Sequence, residues 1–204
     1  QGTTFTVTEV GGDTRYSCKD VTSVKLPETI VKLGDVCFYG AKLTEINIPK
    51  NVAEISHTAW AGLDAVPECK VEAANTHFDS DDNGLLYTEG KVELRSVPSN
   101  IATKTGSSTY TVNSAVTSIA KGAFFSNPGL KKVILPANLQ EVEEGWPSIA
   151  ATKDLEEFVM TPSSTAKYEV KEGVLFTKGL NKLVLYPHAK NVAEYTVPAG
   201  VKEM

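Results

Sequence analysis

The stretch LTEINIPKNVAEISHTAW, residues 43–60, decides the fold because its pattern occurs twice in succession. Set on its proline, it overlies VTSVKLPETIVKLGDVCF at 21–38 without a gap. Val21, Val24, Leu26, Ile30, Leu33 and Phe38 fall on Leu43, Ile46, Ile48, Val52, Ile55 and Trp60, a constant shift of 22 residues, as from Pro27 to Pro49. The frame returns in LKKVILPANLQEV, through Leu130, Val133, Leu135, Leu139 and Val142. It returns again in YTVNSAVTSIAKGAF, through Val112, Val116, Ile119 and Phe124. Agreement of apolar columns at a short fixed period is the signature of a stacked repeat.

A longer period overlies the short one. GLLYTEGKVELRSVP at 84–98 aligns on GVLFTKGLNKLVLYP at 173–187, a shift of 89 residues, as from Gly84 to Gly173. Val66, Cys69 and Val71 fall on Leu155, Phe158 and Met160 at the same shift. The chain therefore divides into an N-terminal capping segment, 1–20, and a repeat domain, 21–204. The domain reads as two copies of a three-turn unit, 21–109 and 110–194, and a partial turn, 195–204, with Met204 in the Ile119 column. The pattern stops in mid-repeat, as expected of a truncated chain or an incomplete last turn.

Apolar residues two apart, as in Ile46 and Ile48, have strand periodicity. The following proline lacks an N–H and closes the strand. One such turn cannot bury its own apolar face, but stacked turns share a core. The expected fold is mostly β. Within it Cys37 and Cys69 read as small buried residues, because Cys37 shares a column with Ala59 and Ala123 and Cys69 shares one with Ile46 and Phe158. Trp60 reads as core filler. In the N-terminal segment, FTVTEVGGDTRY reads as two strands around Gly11 and Gly12; Cys18 has no assigned role.

Composition narrows the function. With 204 residues, 41% hydrophobic and 22% charged, the chain is an ordinary folded one. Twenty basic residues stand against 25 acidic ones without long blocks; a nucleic-acid surface needs clustered cations. No apolar run approaches the roughly 18 residues that cross a bilayer. His57, His77 and His188 occupy non-equivalent positions and read as surface loop residues. Motifs for a nucleophile elbow, a zinc helix or a phosphate loop are absent, so no catalytic residue and no cofactor is expected.

DSDDNG at 79–84 offers the first half of a calcium loop. The twelfth position, which needs a bidentate acid, is Gly90. In the second copy Asp79, Asp81 and Asn83 become Tyr168, Val170 and Glu172, while Gly84 persists as Gly173. The stretch thus reads as the solvent-side entry to a hairpin turning at Glu89 and Gly90, not as a metal site.

The frame L-x-x-I-x-I-P-x-x-V-x-x-I-x-x-x-A-F closely resembles the BspA-like, or Treponema-type, bacterial leucine-rich repeats. LTEINIPKNVAEIS and VTSIAKGAF carry the likeness; Asn113 and Thr161 replace the proline, and EEGWP displaces the aromatic at Trp146. The resemblance implies a right-handed leucine-rich repeat solenoid with parallel strands, here with two β-hairpin inserts. It implies a surface-attached or secreted bacterial protein, whose best known kin bind host proteins such as fibronectin or fibrinogen. The shared residues are core residues and name no ligand. With no catalytic motif present, the expected function is non-enzymatic binding of host extracellular matrix proteins.

If the L-x-x-I-x-I strands form an exposed sheet, two columns face outward. One reads Ser23, Glu45, Glu68, Thr109, Lys132, Glu157 and Glu194. The other reads Lys25, Asn47, Lys70, Thr111, Ile134, Val159 and Thr196. The second column is the expected partner-binding set, with Ile134 and Val159 as adjacent apolar residues on a wet face. A glycan-binding module, with Tyr39, Tyr87 and Tyr186 as stacking candidates, and a structural spacer are the alternatives.

Overall fold

The inner turns lay down a strand leading to the proline column, reverse, and add a two-residue strand before the aromatic column; the segment before Pro27 reverses in the same way without forming a strand. The reversal has one hydrogen bond throughout: the N–H three residues on donates to the carbonyl of Pro27, Pro49, Asn113 or Pro136. Asn113 substitutes for proline because its side-chain Oδ1 accepts the Ala115 N–H at 2.9 Å and holds the turn itself.

The computed structural model describes residues 5–11, 18–143 and 152–204. The N-terminal segment carries β1 (Glu9–Val10), and the first unit β2 (Lys32–Leu33), β3 (Glu45–Ile48), β4 (Glu54–Ile55), β5 (Glu68–Val71), β6 (Phe78–Ser80), β7 (Leu86–Thr88), β8 (Glu93–Ser96) and α1 (Ile101–Thr105). The second comprises β9 (Thr109–Thr111), β10 (Ser118–Ile119), β11 (Lys132–Leu135), β12 (Glu141–Val142), β13 (Glu157–Met160), β14 (Tyr168–Lys171), β15 (Val174–Thr177) and β16 (Leu183–Leu185).

Two sets of parallel ladders follow. In front, β3 pairs with β5, and β9, β11 and β13 pair in order. Behind, β1, β2 and β4 form one ladder, while β12 and β10 continue through β8 into the antiparallel hairpin β6–β7–β8. The second hairpin, β14–β15–β16, repeats the first. An isolated bridge joins Lys182 to Glu203, in the columns of the Glu93–Ser118 pair.

The expected front sheet is thus two patches, not one ladder. After β5 the chain at Gly84 lies along the strand, where the Cys69 N–H donates to the Gly84 carbonyl at 2.9 Å. The short α1 then follows; its Gly106 takes a left-handed C-cap, φ 64, and closes the helix after one turn. In the N-terminal segment only Glu9–Val10 is a strand among the described residues, and it pairs with β2. The expected second strand past Gly12, and Trp146, lie outside the described residues.

Core columns are buried as the spacing predicts: Ile46, Ile48, Val52, Ile119, Phe124, Val133 and Phe158 are each 3% exposed or less. Full burial of such a side chain contributes about 1.5–3 kcal/mol. Phe38 and Trp60 stack at 6.1 Å with planes 10° apart, fixing the aromatic column between neighbouring turns. Cys37 and Cys69 are buried in the same core, and burial pushes both thiols up to about 12.

There are two cores, and β7 separates them. Leu86 packs into the first with Ile46, Trp60 and Cys69. Its neighbours Leu85 and Tyr87 pack into the second with Phe124, Val133 and Phe158. Alternate side chains of a strand leave opposite faces, so the hairpin is an internal wall. The Tyr87 hydroxyl is held at 3.1 Å by Asp81 Oδ2 and lies 3.4 Å from that of Tyr110. Tyr87 is consequently fully buried, which removes it from the glycan-stacking candidates.

Candidate functional site

The outward face of the front ladders follows from strand alternation. Along β3 burial runs exposed, buried, exposed, buried, with Glu45 and Asn47 outward. In register, Glu45 lies beside Glu68 and Asn47 beside Lys70. The facing acids would repel, but each finds a cation. The Lys70 ammonium donates to Glu45 at 2.6 Å, and Lys104 of α1 donates to Glu68 at 2.8 Å. With Asn100 adding a bond at 2.7 Å, Lys104 holds the Glu68 carboxyl below its usual range.

The second patch is less charged. Thr111, Ile134 and Val159 stand side by side in register, and Thr109, Lys132 and Glu157 form the adjacent row. Lys132 pairs with Glu157 at 2.5 Å. Ile134 and Val159 are half-buried while their strand neighbours Val133 and Phe158 are fully buried. Lys25 and Thr196, at the two ends of the expected column, are exposed but lie outside any strand. The structure therefore brings together Asn47 with Lys70, and Thr111 with Ile134 and Val159.

A second polar feature lies on the back and was not read from the sequence. His57 follows β4, Glu93 and Arg95 lie on β8, and Glu143 follows β12. His57 Nδ1 is 2.5 Å from Glu143 Oε2, and Arg95 donates to His57 Nε2, to Glu93 at 3.2 Å and to the Ile55 carbonyl. A guanidinium only donates, so Nε2 accepts and Nδ1 carries the proton given to Glu143. Burial raises the Glu143 carboxyl, but the Lys121 N–H, His57 and Arg95 outweigh it and leave it lowered. His57, Glu93 and Glu143 each bring one donor atom within 4.8 Å of the others, the spacing of a metal set. Here Arg95 supplies a cation from the chain itself. The cluster joins residues 86 apart at non-equivalent repeat positions, so no periodic signal announced it. His77 and His188 are exposed, as the sequence suggested.

At the hairpin entry, Asp81 Oδ1 accepts the N–H groups of Asn83 and Leu85 at 3.0 and 3.1 Å. The carboxylate that would face a cation is turned onto its own loop. Asp79 instead approaches Lys91 at 3.9 Å.

Stacked parallel ladders around a shared apolar interior define a solenoid repeat protein. Six copies of the BspA-type leucine-rich repeat match residues 3–81 and 86–169, and the chain belongs to this family. Three solved structures share the fold. The pneumococcal vaccine antigen PcpA aligns at TM-score 0.56 and 20% identity, over 70% of this chain and 39% of that one. A leucine-rich repeat protein from Eubacterium ventriosum gives 0.53 and 16%, over 90% and 54%. A leucine-rich cell surface protein from Faecalibacterium prausnitzii gives 0.52 and 23%, over 79% and 40%. The chain thus spans about half the length of these structures or less. No curated protein matches the sequence. Among the described residues no helix is long and apolar enough to cross a membrane.

Proposed function

We propose that the chain is a non-enzymatic protein-binding module of a bacterial surface, and that it holds host extracellular matrix proteins through the front ladders. The binding set is Lys25, Asn47, Lys70, Thr111, Ile134, Val159 and Thr196. One observation carries the reading: Ile134 and Val159 stand side by side on an outward face whose neighbouring charges already pair with each other. An apolar pair in a neutralised frame favours a protein surface over a charged ligand, because partner docking desolvates the pair without stranding a charge. The vaccine antigen and the cell surface protein that share this fold agree with an exposed location.

Immobilised fibronectin and fibrinogen are the probes. Ile134→Asp combined with Val159→Asp should weaken binding at least tenfold, the loss of about 1.4 kcal/mol, with far-UV circular dichroism unchanged. Charge reversal at Lys25 and Lys70 should weaken it less. Saturable binding that ignores all four substitutions would reject the face.

A further inference from the structure

The back ladder is broken at the first hairpin, and the break has the form of an empty strand position. At regular steps each turn gives two carbonyls to N–H groups of the next. Val31 and Leu33 accept from residues 53, 54 and 56; Val92 and Leu94 accept from 117, 118 and 120; Thr117 and Ile119 accept from 140, 141 and 143. The corresponding carbonyls of β4 belong to Ala53 and Ile55. Ile55 is met by the Arg95 guanidinium. Among the described residues no hydrogen-bond donor reaches the Ala53 carbonyl. The same alternation puts the Ile55 N–H on this edge.

Arg95 sits in the column of Ser56, Ala120 and Glu143, whose backbone N–H groups make the regular bond. Its side chain therefore does what its own backbone would do in an unbroken ladder. A groove of about 520 Å³ here is lined by Ala53 and Ile55 from the turn of β4, by Phe78 and Thr88 from the hairpin, and by Arg95. The volume suits a few residues of extended chain.

The second copy differs at this edge. There the Val142 N–H, in the Ile55 column, donates to the Tyr168 hydroxyl at 3.0 Å. Tyr168 is Asp79 in the first copy, and Arg95 becomes Val184. The first copy thus has a cation at this edge where the second has a tyrosine hydroxyl.

We propose that this groove binds an extended peptide carrying a carboxylate, which adds as a strand to β4. Peptide N–H groups take the carbonyls of Ala53 and Ile55, and a peptide carbonyl takes the Ile55 N–H. The guanidinium N–H displaced from Ile55 turns to the peptide carboxylate, while the bond from Arg95 to Glu93 stays in place. Main-chain bonds to an open sheet edge are a general mode of peptide capture. The site is independent of the front face.

The test is selection of a random linear-peptide phage library on the full chain. Enriched peptides should share an acidic residue, bind saturably and shift the amide signals of Ala53, Ile55 and Phe78 first. An analogue N-methylated at the nitrogen facing Ala53 should bind at least tenfold more weakly. Absence of enrichment, peptides without a shared acid, shifts confined to the front strands, or indifference to N-methylation would each overturn the proposal.

Discussion

Replacing Gly84 by alanine probes a close approach between the hairpin entry and β5. Gly84 has φ 78, and a Cβ there would lie 2.6 Å from Glu68 Cβ and 3.0 Å from Glu68 Cα. A left-handed backbone costs a residue with a Cβ about 1–2 kcal/mol. Inserting a methyl group into such packing costs about 1–3 kcal/mol more. Glu68 cannot retreat freely, because its strand is tied to Gly84 through the Cys69 N–H and its carboxylate to Asn100 and Lys104. The expected loss is roughly 2–5 kcal/mol, a large share of the stability of an ordinary domain. Gly90→Ala is the control: φ is 71, but the nearest atom, Val92 Cγ2, is 3.9 Å away. It should lose only about 1–2 kcal/mol. Gly173→Ala, with Glu157 Cβ at 2.9 Å, should fall between them. Urea unfolding followed by far-UV circular dichroism gives the midpoint and slope for each variant. Equal losses for Gly84→Ala and Gly90→Ala would refute the close approach and leave only the backbone term.

Acid should destabilise the fold through Glu68 and Glu143, whose carboxyls are held low. Their contribution is complete above the unfolded value of about 4.3 and disappears as pH falls through the lower folded value; Glu68→Gln and Glu143→Gln should flatten that slope in urea midpoints measured from pH 6 downward. At the hairpin entry, Asp81→Ala removes the acceptor of two N–H groups and of the Tyr87 hydroxyl and should cost roughly 1.5–3 kcal/mol, whereas Asp79→Ala should shift the midpoint little. Added calcium should not raise the melting temperature, and a rise abolished by Asp79→Ala would revive the metal reading.

The repeat was legible because a stacked turn has no freedom in where its apolar residues fall. Ile46, Val133 and Phe158 must enter one interior, and their spacing in the sequence is the spacing of that interior. The outward alternation of Glu45 and Asn47 followed from the same period. The internal wall was harder to see: hairpins are ordinarily read as surface inserts, yet Leu85, Leu86 and Tyr87 run together without a polar residue, the mark of a strand buried on both faces. The single turn of α1 carried a signal too, in Gly106 after a helix-compatible stretch. The His57 cluster carried none, since a pairing across 86 residues between unlike columns has no period to betray it. Its place in the break of the back ladder depends on how the hairpin displaces its neighbours.

The wall built by β7 bears on how such a chain can lengthen. A uniform stack could grow by any single turn, because every interface is the same. Here Leu86 answers to one interior and Leu85 and Tyr87 to the other, so a lone turn inserted beside the wall would face a partner shaped for something else. The second hairpin offers a wall of the same kind, with Val174, Leu175 and Phe176 fully buried and Leu175 turned to the preceding interior. The 89-residue shift between Gly84 and Gly173 is thus the spacing in the chain from one wall to the next.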